Sequence, residues 1–196
     1  MTDTHKLNLA GDDDKGEQQE ETRFPLMYAQ EVAENILEQL RPHCIRAEIA
    51  GSIRRRKETV KDIEIVAIPR PYEVGLFQTG IATIVDQWRI VKGHLGPKCK
   101  YTQRMLPQGI KIDLFLVEEN TWGLQFAIRT GSAKFSHEVL ASRWSKMGWE
   151  SKDGILYSTN EIRDDYGGKT TMEFYEEEDL FKFLNLPYPL PEEREL

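Results

Sequence analysis

The chain has 196 residues, 39% of them hydrophobic and 30% charged, with a formal net charge of −7. That length suits one compact domain, or two small ones sharing a surface, with enough apolar side chains to bury a core. No stretch approaches the roughly 18 consecutive apolar residues of a membrane span, the start lacks the apolar segment of a secretory signal, and Cys44 and Cys99 make neither a disulfide framework nor a metal-ligand spacing; the sequence predicts a soluble, cytoplasmic protein with reduced thiols and no membrane partner.

Charge is distributed in blocks. Residues 1–40 carry 3 basic and 10 acidic side chains, residues 41–111 carry 14 and 6, and residues 112–196 carry 9 and 17. A cationic block between acidic flanks points to a polyanionic partner, although a solvated basic face would have the same composition.

Residues 1–21 are polar, acidic and aperiodic, and read as a disordered tail. Val32, Ile36, Leu37 and Leu40 fall at helical spacing and Pro42 stops that helix. "IRAEIAGS" alternates as a strand ending at Gly51, and "DIEIVAIP" is a second strand running into Pro69. "GLFQTGIATIVDQWRIV", residues 75–91, reads as a helix, with "WRIVKG" its exit or a short strand. "KYTQRML" and "IKIDLFLVE" are strands around the turn "PQG". Beyond Glu118, Phe135, Val139 and Trp144 mark a helix closed by Gly148, "KDGILYS" is a short strand after a turn, and "EEEDLFKFLNLP" is a short helix whose acidic first turn suits its dipole. No repeat is present. The four histidines show no ligand spacing, and the four tryptophans read as packing aromatics.

The chemistry concentrates in "GSIRRRKETVKDIEIVAIPR", residues 51–70. Asp62 and Glu64 lie two apart in a strand, so both carboxylates share a face. Asp113 sits inside a second apolar strand, between Ile112 and Leu114. One acid in a strand usually just faces water. Three in apolar strands are costly unless compensated, and oxygen-preferring divalent ions, Mg²⁺ or Mn²⁺, are the natural compensation. Gly51-Ser52 leaves a strand where backbone N–H groups and a hydroxyl can meet a phosphate. Arg54, Arg55, Arg56 and Lys57 add charge beside it, arginine being able to bond two phosphate oxygens at once.

Gly-Ser, an arginine-rich turn, Asp-x-Glu ten residues past the serine and a distant Asp in a strand together resemble the nucleotidyltransferase superfamily. Within it the chain resembles a family X DNA polymerase, similar to the palm and thumb of DNA polymerase beta. "RFP" at 23–25, "TGS" at 130–132, "MGW…DGILYS" and the ending "EEEDLFKFLNLPYPLPEERE" extend the likeness over residues 22–196, in order. The resemblance implies an α+β fold: a nucleotidyltransferase palm, a mixed β-sheet with flanking helices over 22–118, plus a small α/β thumb over 119–196. It implies template-directed addition of dNTPs to a primer 3′-OH by two-metal nucleotidyl transfer, in gap filling for DNA repair, by a monomer on gapped or primer–template DNA. By the same resemblance Asp62 and Glu64 would bridge two Mg²⁺ ions (or Mn²⁺), and Asp113 would bind one and help deprotonate the 3′-OH. Gly51, Ser52, Arg55 and Arg23 would hold the β- and γ-phosphates, Gly131 would lie against the nucleotide and Ser136 near its base. Lys98, Lys100, Arg104 and Lys111, from the cationic block, would contact DNA.

The departures carry information. Glu64 stands where the family commonly has Asp, and Ile128-Arg129 replaces the aromatic pair before Thr-Gly, which implies a looser gate on the sugar. Nothing upstream matches a lyase domain or helix-hairpin-helix clamps. Two rival readings stay open: a nucleotidyltransferase that modifies an RNA end, a small molecule or a protein, and a catalytically idle nucleic-acid binding module, against which the three acids argue.

Overall fold

The structure, a computed structural model, describes residues 22–71, 80–160 and 169–196. The expected tail over 1–21 and the beginning of the expected 75–91 helix lie outside the described residues.

The chain enters through β1 (Phe24–Pro25) into α1 (Leu26–Leu40). Ala29, Val32, Ala33, Ile36, Leu37 and Leu40 recur on one face of α1 and are all buried. A 3-10 turn over Arg41–His43, with Pro42 inside it, ends the helix. β2 (Cys44–Ile49), α2 (Gly51–Arg54), β3 (Thr59–Val60) and β4 (Asp62–Pro69) follow, then α3 (Ala82–Val85), β5 (Arg89–Lys92), β6 (Tyr101–Met105) and β7 (Lys111–Leu116). Five of these strands form one sheet in the order β2-β4-β7-β6-β5, in which β4 and β7 are parallel and the other pairs antiparallel. β1 pairs separately with β3, Phe24 opposite Val60.

The side-chain period of two sorts β4 between two cores. Ile63, Ile65 and Ala67 pack with the apolar face of α1, while Val66 and Ile68 join Phe115, Trp122 and Phe126 on the other face. Asp62 and Glu64 therefore belong to the face that α4 (Trp122–Thr130) covers further along. α4 is a shared wall: Trp122 and Phe126 meet the sheet, whereas Leu124 and Ala127 enter a third cluster with Phe135, Leu140, Trp144, Leu156, Phe174, Leu180 and Phe181. That cluster is built by α5 (Ala133–Phe135), a π-helical stretch over Ser136–Ala141, α6 (Ser142–Lys146), the three-stranded sheet of β8 (Trp149–Lys152), β9 (Ile155–Ser158) and β10 (Thr171–Met172), and α7 (Glu177–Phe183).

Three boundaries differ from the sequence reading. β2 ends at Ile49, and Gly51-Ser52 opens α2 instead of closing the strand. The described part of the expected 75–91 helix is helical only over Ala82–Val85; of the two readings of "WRIVKG", exit or short strand, the strand holds, with Arg89, Ile90 and Lys92 paired to β6 and Val91 in a bulge between them. Trp149–Lys152 is a strand not foreseen, because its partner, β9, supplies the hydrogen bonds that its own pattern does not announce.

Gly123 fixes how α4 meets the approach to α7. Its N–H donates to the Phe174 carbonyl at 2.7 Å, and a Cβ there would sit 2.3 Å from the Glu176 carbonyl oxygen. Backbone cannot yield as a side-chain tip can. Gly123→Ala should cost roughly 1–3 kcal/mol and lower Tm by about 3–10 °C; a thermal melt within about a degree of the parent would show that the two segments separate freely.

Candidate active site

Two neighbouring parallel strands bring the predicted acids together. β4 and β7 run in register with Glu64 opposite Asp113 and Asp62 opposite Lys111. Asp113, Glu64, Phe115 and Tyr101 line one cleft of about 1350 Å³, which also takes in Lys98, Lys100, Ile128, Arg129 and the β8–β9 turn.

Gly51 is required by this arrangement. Its φ is +60°, in the left-handed region, and a Cβ on it would lie 1.6 Å from Glu64 Oε2. The Glu64 side chain thus runs directly against the backbone of the Gly51-Ser52 turn, while the Ala50 N–H donates to the Glu64 carbonyl at 2.8 Å. Burial, and then the charges of Asp62 and Asp113, push the Glu64 carboxyl up to about 7, against the opposing charges of Arg55 and Arg129. Asp113 is held differently: Tyr101 Oη donates to its Oδ1 at 2.6 Å and Gln103 Nε2 to the same oxygen at 2.8 Å. The Tyr101 phenol is pushed well above its ordinary range by burial and by the hydrogen bond to Asp113, so it stays a donor at any working pH.

Among the described residues no group of three or more His, Cys, Asp or Glu side chains is gathered tightly enough to hold a metal ion. The Glu64 side chain turns to Gly51 and that of Asp113 to β6. In donor chemistry the set fits a hard divalent cation: oxygen ligands only, mutually repelling, with one carboxyl pushed up by burial and by its acidic neighbours.

The basic turn is already occupied by protein. Arg54 makes a two-pronged bond to Glu177, at 2.9 and 2.8 Å, and a third bond to Thr130 Oγ1. Arg55 donates to the Thr130 carbonyl at 2.7 Å and pairs with Glu195; Lys57 reaches Glu195 and Arg56 reaches Glu192. The β1–β3 pairing brings the backbone after Arg23 alongside this turn, and Arg23 is exposed.

The other predicted contacts separate. Gly131 is buried at the end of α4, where a Cβ would meet the Phe135 ring at 2.7 Å, and Ser136 Oγ donates to the Ile128 carbonyl. Lys98 and Lys100 line the cleft, and Lys100 spans it to Asp153 at 2.8 Å. Lys111 is exposed at the start of β7. Arg104 is a correction: it is fully buried, donating to the Gly93 carbonyl and to Asp86, so a DNA backbone cannot reach it. Tyr101 and Gln103 were missed, although they sit two apart on the strand flanking Asp113, the same same-face spacing that exposed Asp62 and Glu64. Arg129 was read only for the sugar; its guanidinium lies 4.0 Å over the Phe115 ring, beside the acids.

No family model matches the chain. Over 55 residues, 26% of its length, it is 47% identical to the DNA polymerase/3′-5′ exonuclease PolX of Bacillus subtilis (strain 168), of which it spans 10%. Its structure is similar to the crystal structure of Leishmania infantum polymerase beta in a ternary P/T complex, with a TM-score of 0.63 and 18% identity, over 88% of this chain and 77% of that one. The fold is polymerase beta-like. The expected α+β class, a mixed sheet with flanking helices, holds accordingly, and within this polymerase beta-like fold the acids lie on the two parallel strands. No helix among the described residues is long and apolar enough to cross a membrane.

Glu64 makes stability depend on pH in a defined direction. Its carboxyl titrates near 4.5 when unfolded and near 7 when folded, so between those values the folded chain binds more protons. The group therefore costs stability as pH rises through that window, and the full cost is present above pH 7. Glu64→Gln removes it. In metal-free buffer the Tm of the variant relative to the parent should rise between pH 5 and pH 8, by on the order of 5 °C. A constant difference across that range would show that Glu64 is not desolvated.

Proposed function

We propose that this chain is a nucleotidyltransferase of the DNA polymerase kind, adding a dNTP to the 3′-OH of a primer strand, with gap filling in DNA repair as its setting. The observation that carries this reading is the in-register pair Glu64–Asp113 with Asp62 two residues up the strand, packed against the Gly51-Ser52 turn in a polymerase beta-like fold. The 3′ oxygen bonds to the α-phosphorus, the bond to pyrophosphate breaks, and the hydroxyl proton passes to Asp113. Asp62, Glu64 and Asp113 would hold two Mg²⁺ or Mn²⁺ ions, which when bound supply the positive charge that stabilises both the attacking and the departing oxygen. The chain's own contribution is position and charge.

Gly51 and Ser52 offer backbone N–H groups and a hydroxyl to the triphosphate, and Arg55 and Arg23 its charge partners. Because Arg55 is paired with Glu195, an arriving phosphate displaces a carboxylate and meets a guanidinium already aimed by Thr130. Residues 22–118 act as palm and 119–196 as thumb, with Gly131 at their join, Ser136 beyond it, and Lys98, Lys100 and Lys111 along the path of the DNA. The protein works as a monomer.

Primer extension on a gapped duplex with Mg²⁺ or Mn²⁺ tests the reading, alongside RNA primers and non-templated acceptors. The parent should fill the gap with the templated base. Asp113→Asn, which keeps shape and removes charge, should lose at least roughly 100-fold in rate with an unchanged melt. Equal activity on unpaired or RNA acceptors, or an Asp113→Asn rate within tenfold of the parent, would sink it.

A further inference from the structure

Asp113 sits between two unlike neighbours. On one side β4 presents Glu64, a like charge; on the other β6 presents Gln103, directly opposite Asp113 in the antiparallel register, with Tyr101 one pleat along opposite Phe115. Both β6 side chains donate to the same oxygen, Oδ1. A carboxylate oxygen has about two acceptor positions, so these two bonds fill Oδ1. Among the described residues no donor is directed to Oδ2.

The donors are held in place themselves. The Tyr101 ring stacks on Phe115 at 5.2 Å and 28°, and the Arg129 guanidinium lies 4.0 Å over the Phe115 ring. Lys92 Nζ lies 5.7 Å from the Tyr101 ring centre. Both donors are also neutral. A lysine or arginine at either position would form an ion pair and draw down the charge of Asp113. A phenol and an amide orient the carboxylate and leave its charge whole.

We propose that Tyr101 and Gln103 are positioning residues for Asp113, pinning Oδ1 so that Oδ2 is the oxygen presented to the cleft. The assignment rests on the polymerase reading for its consequence, since Asp113 is the acid that must meet the primer hydroxyl, but its geometry stands on the β6–β7 pairing alone. Neutral hydrogen-bond partners that orient a ligand's carboxylate typically change activity or metal affinity by about 10–100-fold when removed.

The test uses the full chain with Tyr101→Phe, which keeps the ring and its stacking, and the double variant Y101F/Q103L. Two readouts are taken: kcat and KM for gap filling, and Mn²⁺ affinity by electron paramagnetic resonance without DNA. Tyr101→Phe should lower kcat about 10-fold and the double variant up to about 100-fold, with KM for dNTP within about twofold and the melt unchanged. Mn²⁺ affinity should fall in the same order. A loss of Mn²⁺ affinity in a protein whose parent extends no primer would keep the positioning role and remove the polymerase reading. A kcat and Mn²⁺ affinity both within about twofold of the parent in the double variant, or a KM change without a kcat change, would overturn the positioning role.

Discussion

A carboxylate buried between two arginines holds the two halves of this chain in one piece. Glu177, at the start of α7, is 3% exposed, and Arg194, which bonds it, is fully buried. Arg54, from the turn after Gly51, bonds the same carboxylate with both prongs, and Tyr188 Oη adds another donor at 2.9 Å. Burial alone would raise the Glu177 carboxyl; hydrogen bonds and charge from Arg54 and Arg194 outweigh it and hold the group below the ordinary carboxylate range. Losing any member would leave a desolvated charge without its partner, the costly way to break such a network. The guanidinium groups are seated on aromatic faces as well, Arg54 at 3.9 Å from the Phe126 ring and Arg194 at 5.1 Å from Phe181. The turn after Gly51, proposed to meet phosphate, is thus fastened to α7 and the C-terminal segment.

From that anchor the site acquires its polarity. Arg54 is committed to structure, while Arg55 pairs with Glu195, donates to the Thr130 carbonyl and acts by its charge on Glu64. The positive side of the site is therefore neutralised by the protein itself, through exposed pairs such as Arg56–Glu192 that contribute little to stability and exchange readily. On the negative side, the charges of Arg55 and Arg129 act on Glu64 against those of Asp62 and Asp113. Burial first, and then Asp62 and Asp113, push the Glu64 carboxyl up to about 7. Neutral donors on β6 orient Asp113 without discharging it.

Much of this was legible in the residues. The same-face spacing of Asp62 and Glu64, the Gly-Ser turn and the third acid in an apolar strand picked out residues that the fold brings together, because strand periodicity is a local property. The α1 face, the β6–β7 hairpin and the acidic start of α7 were legible for the same reason. What failed were statements about partners distant in sequence. Arg104 looks like any other basic residue in a cationic block, yet its strand faces it inward, onto Gly93 and Asp86. The 75–91 segment left its end open between helix exit and short strand, and the edge of β6 decided for the strand.

The sequence by itself determined the chemistry on offer: three carboxylates on strands, a Gly-Ser pair at a strand exit, arginines beside it, and a resemblance that named the kind of fold. Only the tertiary structure decided which groups meet. It set Glu64 opposite Asp113 rather than one step out of register, spent Arg54 and Arg194 on Glu177, and gave Asp113 the neutral company of Tyr101 and Gln103. The physical reason is range. Periodicity and turn chemistry act over a few residues, whereas register and buried charge pairing join residues 10 to 123 positions apart and follow from packing that no short stretch contains.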